Sequence, residues 1–347
     1  MRIAIATDAW TPQVNGVVTT LIQTRNELIA MGHEVLMLTP AGRISVPCPS
    51  YPEIRLTCFA ARTIRRELDA FAPDCIHVAT EGPIGLIVRR YCLRRKLPFT
   101  TAYHTQFPEY VRARAPIPIS WTIGFMRWFH RPAVRTMVAT RSMRSVLEER
   151  GFKNIVMWSR GVRTDEFTPH DPHRYELPGP IFVYLGRVSV EKNIEAFLRL
   201  DLAGSKIVIG DGPDRARLQS KYPDCRFLGY KFGRELARYL AGADVFVFPS
   251  RTDTFGVVML EAMACGLPVA AFRVTGPVDV VKQGVTGILH ENLARACRMA
   301  LKLDGRVCRR YAESRSWRRS TEQFIARLAR YEPVTEESIT GPQVALR

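Results

Sequence analysis

Short apolar runs recur along the chain, each bounded by turn-forming residues and most of them separated by segments long enough for a helix. Arg2–Thr7, His33–Thr39, Cys75–Ala79, Phe99–Ala102, Met137–Ala139 and Asn154–Met157 form one set. Ile181–Gly186, Asp244–Phe248, Pro268–Phe272 and the strand and turn of Lys206–Pro213 form another. Continuous rather than alternating hydrophobicity predicts parallel strands covered on both faces. Between them, Val17–Met31 reads as a helix stopped by Gly32, Ile194–Leu200 as another, and Val257–Cys265 as a third that closes at Gly266 with Pro268 beyond. Strand and helix in alternation predict an α/β protein of the doubly wound type. The run through Pro169, Pro172, Pro178, Gly179 and Pro180 reads as a linker, dividing residues 1–170 from 171–315.

Composition narrows this picture. A chain of 347 residues, 46% hydrophobic and 24% charged, suits two globular domains. No apolar run reaches the roughly 18 residues needed to span a membrane. The first strand starts at Arg2 and meets Asp8 too early for a signal-peptide core, so a cytoplasmic protein is expected. The eight cysteines stand singly, without metal-ligand spacing, and read as reduced and mostly buried. The formal charge of +17 concentrates in two segments: eleven Lys/Arg against two acids over Arg112–Arg163, and nine against two over Arg295–Arg319. Such patches fit nucleic acid, anionic lipid or a phosphate-bearing ligand. No zinc-finger spacing, RNA-binding aromatics or basic zipper helix accompanies them, so no nucleic-acid partner is expected.

The candidate chemistry gathers at strand ends. Ser250, Thr252, Asp253, Thr254 and Gly256 form a loop ahead of the helix that begins near Gly256 and Val257. A helix N-terminus at the carboxyl edge of a parallel sheet favours an anion such as a diphosphate. Asp253 and Glu261 bracket that helix start and can hold two parts of one elongated polar ligand. Arg187 and Lys192, five apart after the Ile181 strand, fit a diphosphate clamp. In the first domain, Gly16 opens a helix after a Pro- and Asn-bearing loop, and His104 ends a strand beside Thr105 and Gln106. Along Ile117–His130, Trp121, Phe125 and Phe129 share a face at i, i+4 and i+8, with Arg112, Arg114, Arg127, Arg131 and Arg135 nearby. Packing onto the N-terminal sheet and lying in a membrane interface both fit that pattern.

Several of these stretches resemble one family. Asp253, seven residues and Glu261, with Phe255-Gly256 and Glu261-Ala-Met-Ala-Cys-Gly-Leu-Pro268, resemble the motif of retaining nucleotide-sugar glycosyltransferases of the two-domain GT-B fold, which more often have Glu at the first position. Val14-Asn-Gly-Val17, Gly186-Arg187 followed by Lys192, Arg160-Gly-Val through Phe167, and Val285-Thr-Gly-Ile-Leu289 are similar to its other signatures. His104-Thr-x-x-Pro108 resembles its lipid-glycosylating branch. The resemblance implies two Rossmann-like domains facing across a cleft, with a terminal helix over 316–331 crossing back to the first domain and a disordered tail at 332–347. It implies that Glu261 accepts the donor ribose hydroxyls and that Arg187, Lys192 and amides of Gly16, Gly256 and Val257 hold the diphosphate. His104 and Asp253 would bind sugar hydroxyls. The implied partners are a UDP- or GDP-linked sugar, a lipid or glycolipid acceptor and an anionic membrane surface on the cytoplasmic side. No Asp-x-Asp occurs, so no metal motif is present and no cofactor is expected. A soluble glycan acceptor, a sugar-nucleotide epimerase and a binding module without catalysis are the competing readings.

Overall fold

The computed structural model describes residues 1–48, 51–104 and 118–331. Thr105, Gln106, Pro108, Arg112, Arg114, Ile117 and the 332–347 tail lie outside the described residues. In the first strand, β1 (Arg2–Ala6), Ile3, Ala4, Ile5 and Ala6 are all fully buried, because helices cover both faces of the sheet. There follow α1 (Gly16–Ala30), β2 (Glu34–Leu38), the hairpin β3 (Ser45–Cys48) and β4 (Tyr51–Thr57), α2 (Ala61–Phe71), β5 (Cys75–Val78) and α3 (Pro83–Arg95). Then come β6 (Thr100–Tyr103), α4 (Ile119–His130), β7 (Arg135–Val138), α5 (Arg141–Glu149) and β8 (Ile155–Met157). The six-stranded sheet runs β2-β1-β5-β6-β7-β8, parallel throughout.

The second sheet repeats the plan. Its elements are β9 (Ile181–Leu185), a single turn at Val190–Lys192, α6 (Glu195–Leu198), β10 (Ser205–Ile209), α7 (Arg215–Lys221), β11 (Arg226–Phe227), α8 (Gly233–Ala241) and β12 (Val245–Phe248). After these come α9 (Val257–Ala264), β13 (Val269–Ala271), α10 (Pro277–Val280), β14 (Gly287–Leu289), α11 (Leu293–Ala300), α12 (Gly305–Glu313) and α13 (Trp317–Arg327). The order is β11-β10-β9-β12-β13-β14, again parallel. Each order reverses direction at its first strand, β1 or β9, and a crevice at the carboxyl ends of the strands there is where such sheets take ligands.

The chain passes between the sheets twice. Outbound residues 158–163 and returning residues 314–316 run side by side: Val162 bridges to Ser316, and its amide donates to the Arg315 carbonyl at 2.8 Å. Gly161 makes this approach feasible, since a Cβ there would lie 2.4 Å from the Trp317 nitrogen. Beyond the return, α13 packs on the first domain, where Phe324 is buried with Ile3, Ile5, Leu21 and Trp158.

The aromatic face of α4 divides between the two readings: Phe129 is buried against the sheet, Phe125 is half-buried and Trp121 is exposed. The inward side of α4 is Thr122, Met126, Phe129 and His130, whereas Trp121 is 74% and Trp128 52% exposed. A helix turning 3.6 residues per turn carries Phe129 about 80° around from Trp121, and the sheet claims that later side. His130 fixes the choice: its Nδ1 lies 2.8 Å from Thr101 Oγ1 and its Nε2 3.1 Å from Glu81 Oε1. Arg89 stacks 3.9 Å from the Trp128 ring and donates to the Trp128 and Phe129 carbonyls.

Candidate active site

The second domain contributes a helix start without a side-chain cap. Gly256, N-cap of α9, has φ +83° and makes no capping bond, so the first-turn amides have no side chain to accept from them. A Cβ there would meet Met259 Cε at 2.7 Å and Phe248 Cζ at 2.9 Å, so glycine is required on both counts. The loop ahead of α9 is tied to the segment after β9. Asn193 donates to the Pro249 carbonyl at 2.9 Å, and Thr252 Oγ1 to the Glu191 carbonyl at 3.2 Å. These ties bring Lys192 Nζ within 2.5 Å of Asp253 Oδ1. Asp253 Oδ2 is buried and has no hydrogen-bond partner among the described residues. Arg187 is half-buried, its carbonyl accepting from Tyr184 Oη at 2.7 Å. One turn into α9, burial together with the charge of Glu166 pushes Glu261 up to about 7. Glu166 itself pairs with Arg163 at 3.2 Å.

From the first domain comes His104, immediately after β6. Arg160 Nη2 lies 3.1 Å from its Nδ1. A guanidinium offers only donors, so Nδ1 must accept and the ring proton sits on Nε2. Burial and the Arg160 charge hold His104 well below its usual range, which keeps it neutral. Its Nε2 is buried without a hydrogen-bond partner among the described residues. Arg160 is 4% exposed, stacks 4.3 Å over Trp158 and donates to the Trp158 and Ser159 carbonyls. Gly16 begins α1 with open space around it. The neighbouring Val17 and Val18 amides are already accepted by the N-cap Asn15 side chain, each at 3.0 Å. Asp8, also at this edge, is taken up structurally. It accepts from the Ile84 amide at 2.9 Å, the Gly85 amide at 3.3 Å and Thr80 Oγ1 at 2.9 Å, serving α3, whose N-cap is a glycine. Burial outweighs these bonds and lifts Asp8 to about 6.

The two edges touch. Thr254 Oγ1 donates to the His104 carbonyl at 2.6 Å, and Thr140 Oγ1 donates to the Thr254 carbonyl at 3.1 Å. Ser142 donates through its amide and hydroxyl to Asp279. His104, Lys192 and Asp253 therefore gather around one residue, Thr254. Glu261 and Gly256 belong to the helix behind it, while Gly16 lies on the opposite sheet edge. Sequence reasoning gave Arg160, Glu166 and Thr254 no part in the site. Thr254 lies inside the loop already singled out, but the Arg160–His104 contact joins segments 56 residues apart and leaves no local pattern.

Two parallel sheets meeting edge to edge around such a crevice define a GT-B architecture. The solved sucrose-phosphate synthase of Thermosynechococcus elongatus superposes with a TM-score of 0.71 over 94% of this chain and 97% of that one, at 19% identity. Residues 14–166 match the family described as Glycosyltransferase Family 4, and residues 179–303 match Glycosyl transferases group 1. A GDP-mannose-dependent alpha-mannosyltransferase of Mycobacterium tuberculosis is 31% identical over 83% of this chain and 83% of its own length. An alpha-monoglucosyldiacylglycerol synthase of Streptococcus pneumoniae is 26% identical over 78% and 71%. The chain belongs to the group 1, family 4 glycosyltransferases, and it is a glycosyltransferase.

Proposed function

We propose that this enzyme moves a hexosyl unit from a UDP- or GDP-linked sugar to a membrane lipid, diacylglycerol or a glycolipid, with retention at the anomeric carbon. The observation that carries the site is the pair of buried, unsatisfied polar atoms around Thr254: His104 Nε2–H, a donor, and Asp253 Oδ2, an acceptor. Buried polar atoms need partners, and a sugar hydroxyl both donates and accepts. Lys192, Arg187 and the amides at Gly16, Gly256 and Val257 serve the diphosphate, and Glu261 serves the ribose. As the nucleotide departs, negative charge grows on phosphate oxygen, and fixed cations and amides stabilise it without reorganising. The acceptor oxygen bonds to the anomeric carbon on the face from which the phosphate leaves. The carbon–phosphate-oxygen bond breaks, and the acceptor proton passes to the departing oxygen.

The lipid acceptor is supported by the diacylglycerol named for the pneumococcal relative and by α4, which exposes Trp121 and Trp128 beside Arg127 and Arg131. Basic residues contribute about 1 kcal/mol each near an anionic surface. Salt-sensitive sedimentation with anionic vesicles is expected, weakened by Arg127→Glu with Arg131→Glu; equal sedimentation with neutral vesicles overturns the membrane reading. The reaction itself is tested by incubating UDP- and GDP-sugars with and without diacylglycerol and following free nucleotide. Lys192→Ala or Arg187→Ala should lower kcat and kcat/KM together by roughly a hundredfold, about 3 kcal/mol. A change in KM alone contradicts the clamp.

A further inference from the structure

Beside the crevice, at the double crossing, lies a cavity of about 330 Å³ whose lining, among the described residues, includes Arg160, Lys282, Arg315 and Arg319 and no carboxylate. Among the described residues no carboxylate pairs with any of the four. Their neighbours are neutral: Lys282 and Arg315 each lie 5.0 Å from the Tyr311 ring centroid, and Arg315 Nη2 donates to Tyr311 Oη at 2.9 Å. The start of α13 adds to the positive potential, since Ser316, its N-cap, and Ser320 also line the cavity. Arg160 weighs most, because a guanidinium this buried is costly to keep without a counter-charge.

We infer that this cavity binds a phosphate group, either inorganic phosphate or a phosphomonoester, and that the anion spans the hinge. Arg315 and Ser316 lie on the returning crossing, Arg160 on the outbound one, Tyr311 and Lys282 on the second domain, and Arg319 on the helix packed against the first. A dianion held among them braces both crossings at once. Serine hydroxyls and guanidinium groups whose hydrogen-bond partners among the described residues are all neutral suit tetrahedral oxygens, which accept several charge-assisted hydrogen bonds.

The test titrates inorganic phosphate into the full-length protein at an ionic strength held constant with chloride, by calorimetry. Binding should persist in Lys192→Ala, which disables the donor clamp, and weaken roughly tenfold or more in Arg315→Ser with Arg319→Ser, as expected for losing charged hydrogen bonds. Unchanged melting temperature and nucleotide affinity report an intact fold. Should the double variant misfold, Lys282→Ser, away from the crossing itself, must still weaken phosphate measurably. Phosphatidate vesicles that displace bound phosphate identify a lipid headgroup as the source, and failure to displace it identifies a soluble phosphate. Equal affinity in the wild type and all cavity variants, loss confined to Lys192→Ala, or phosphate binding no better than chloride overturns the site. Because the cavity variants leave the Lys192 clamp untouched, their failure is separable from failure of the proposed transferase site.

Discussion

Glu261 lies one turn into α9 with Glu166 as its like-charged neighbour, and it holds a proton up to about pH 7. The unfolded chain releases that proton near 4.5, so the folded state binds more protons between the two values, and Glu261 makes the ligand-free protein less stable as pH rises from 4.5 to 7. Ribose hydroxyls donate best to the ionised form. Affinity for an intact nucleotide sugar, whose diphosphate has no proton to exchange in this range, should therefore weaken below pH 7 by up to about tenfold per unit. Calorimetry across pH 5.5–8.5 reads this directly, and Glu261→Gln should flatten the profile. The residues legible in advance, Lys192, Asp253, Gly256 and Glu261, sit in two short segments whose spacing carries the pattern. Arg160 and Glu166 owe their effect to meeting distant segments, and no spacing announces that.

At the scale of elements, the two glycines assigned to helix starts should respond differently. Gly256→Ala puts a Cβ into Met259 and Phe248 at positive φ, so a loss of about 1–3 kcal/mol is expected together with weaker nucleotide binding. Gly16→Ala meets open space; stability should stay within about 0.5 kcal/mol, while donor affinity falls if the diphosphate approaches its amide. Thermal melting and calorimetry on both variants separate the two cases. The parallel strands were readable because burial on both faces leaves continuous apolar runs. The β3–β4 hairpin was not, since Pro47 interrupts the strand pattern and Ile44 and Val46 stay exposed. Which side of α4 turns inward was open in the sequence, because aromatic spacing says which residues line up, whereas the His130 contacts with Thr101 and Glu81 decide which side turns inward.

Across the whole molecule, the last helix completes the first core. Phe324 is fully buried among residues of β1 and α1, so Phe324→Ala should cost about 3–5 kcal/mol, measured by denaturant unfolding. A chain ending at Ser316 should be poorly soluble, with the apolar side of α1 uncovered. The same arrangement has a consequence during synthesis. When Met157, the end of β8, leaves the ribosome, every strand of the first sheet has been made, yet α13 is still some 160 residues away. At translation speeds of about 5–20 residues per second that interval is on the order of ten to thirty seconds. The nascent first half must wait through it with an open hydrophobic flank, a natural holding point for a chaperone.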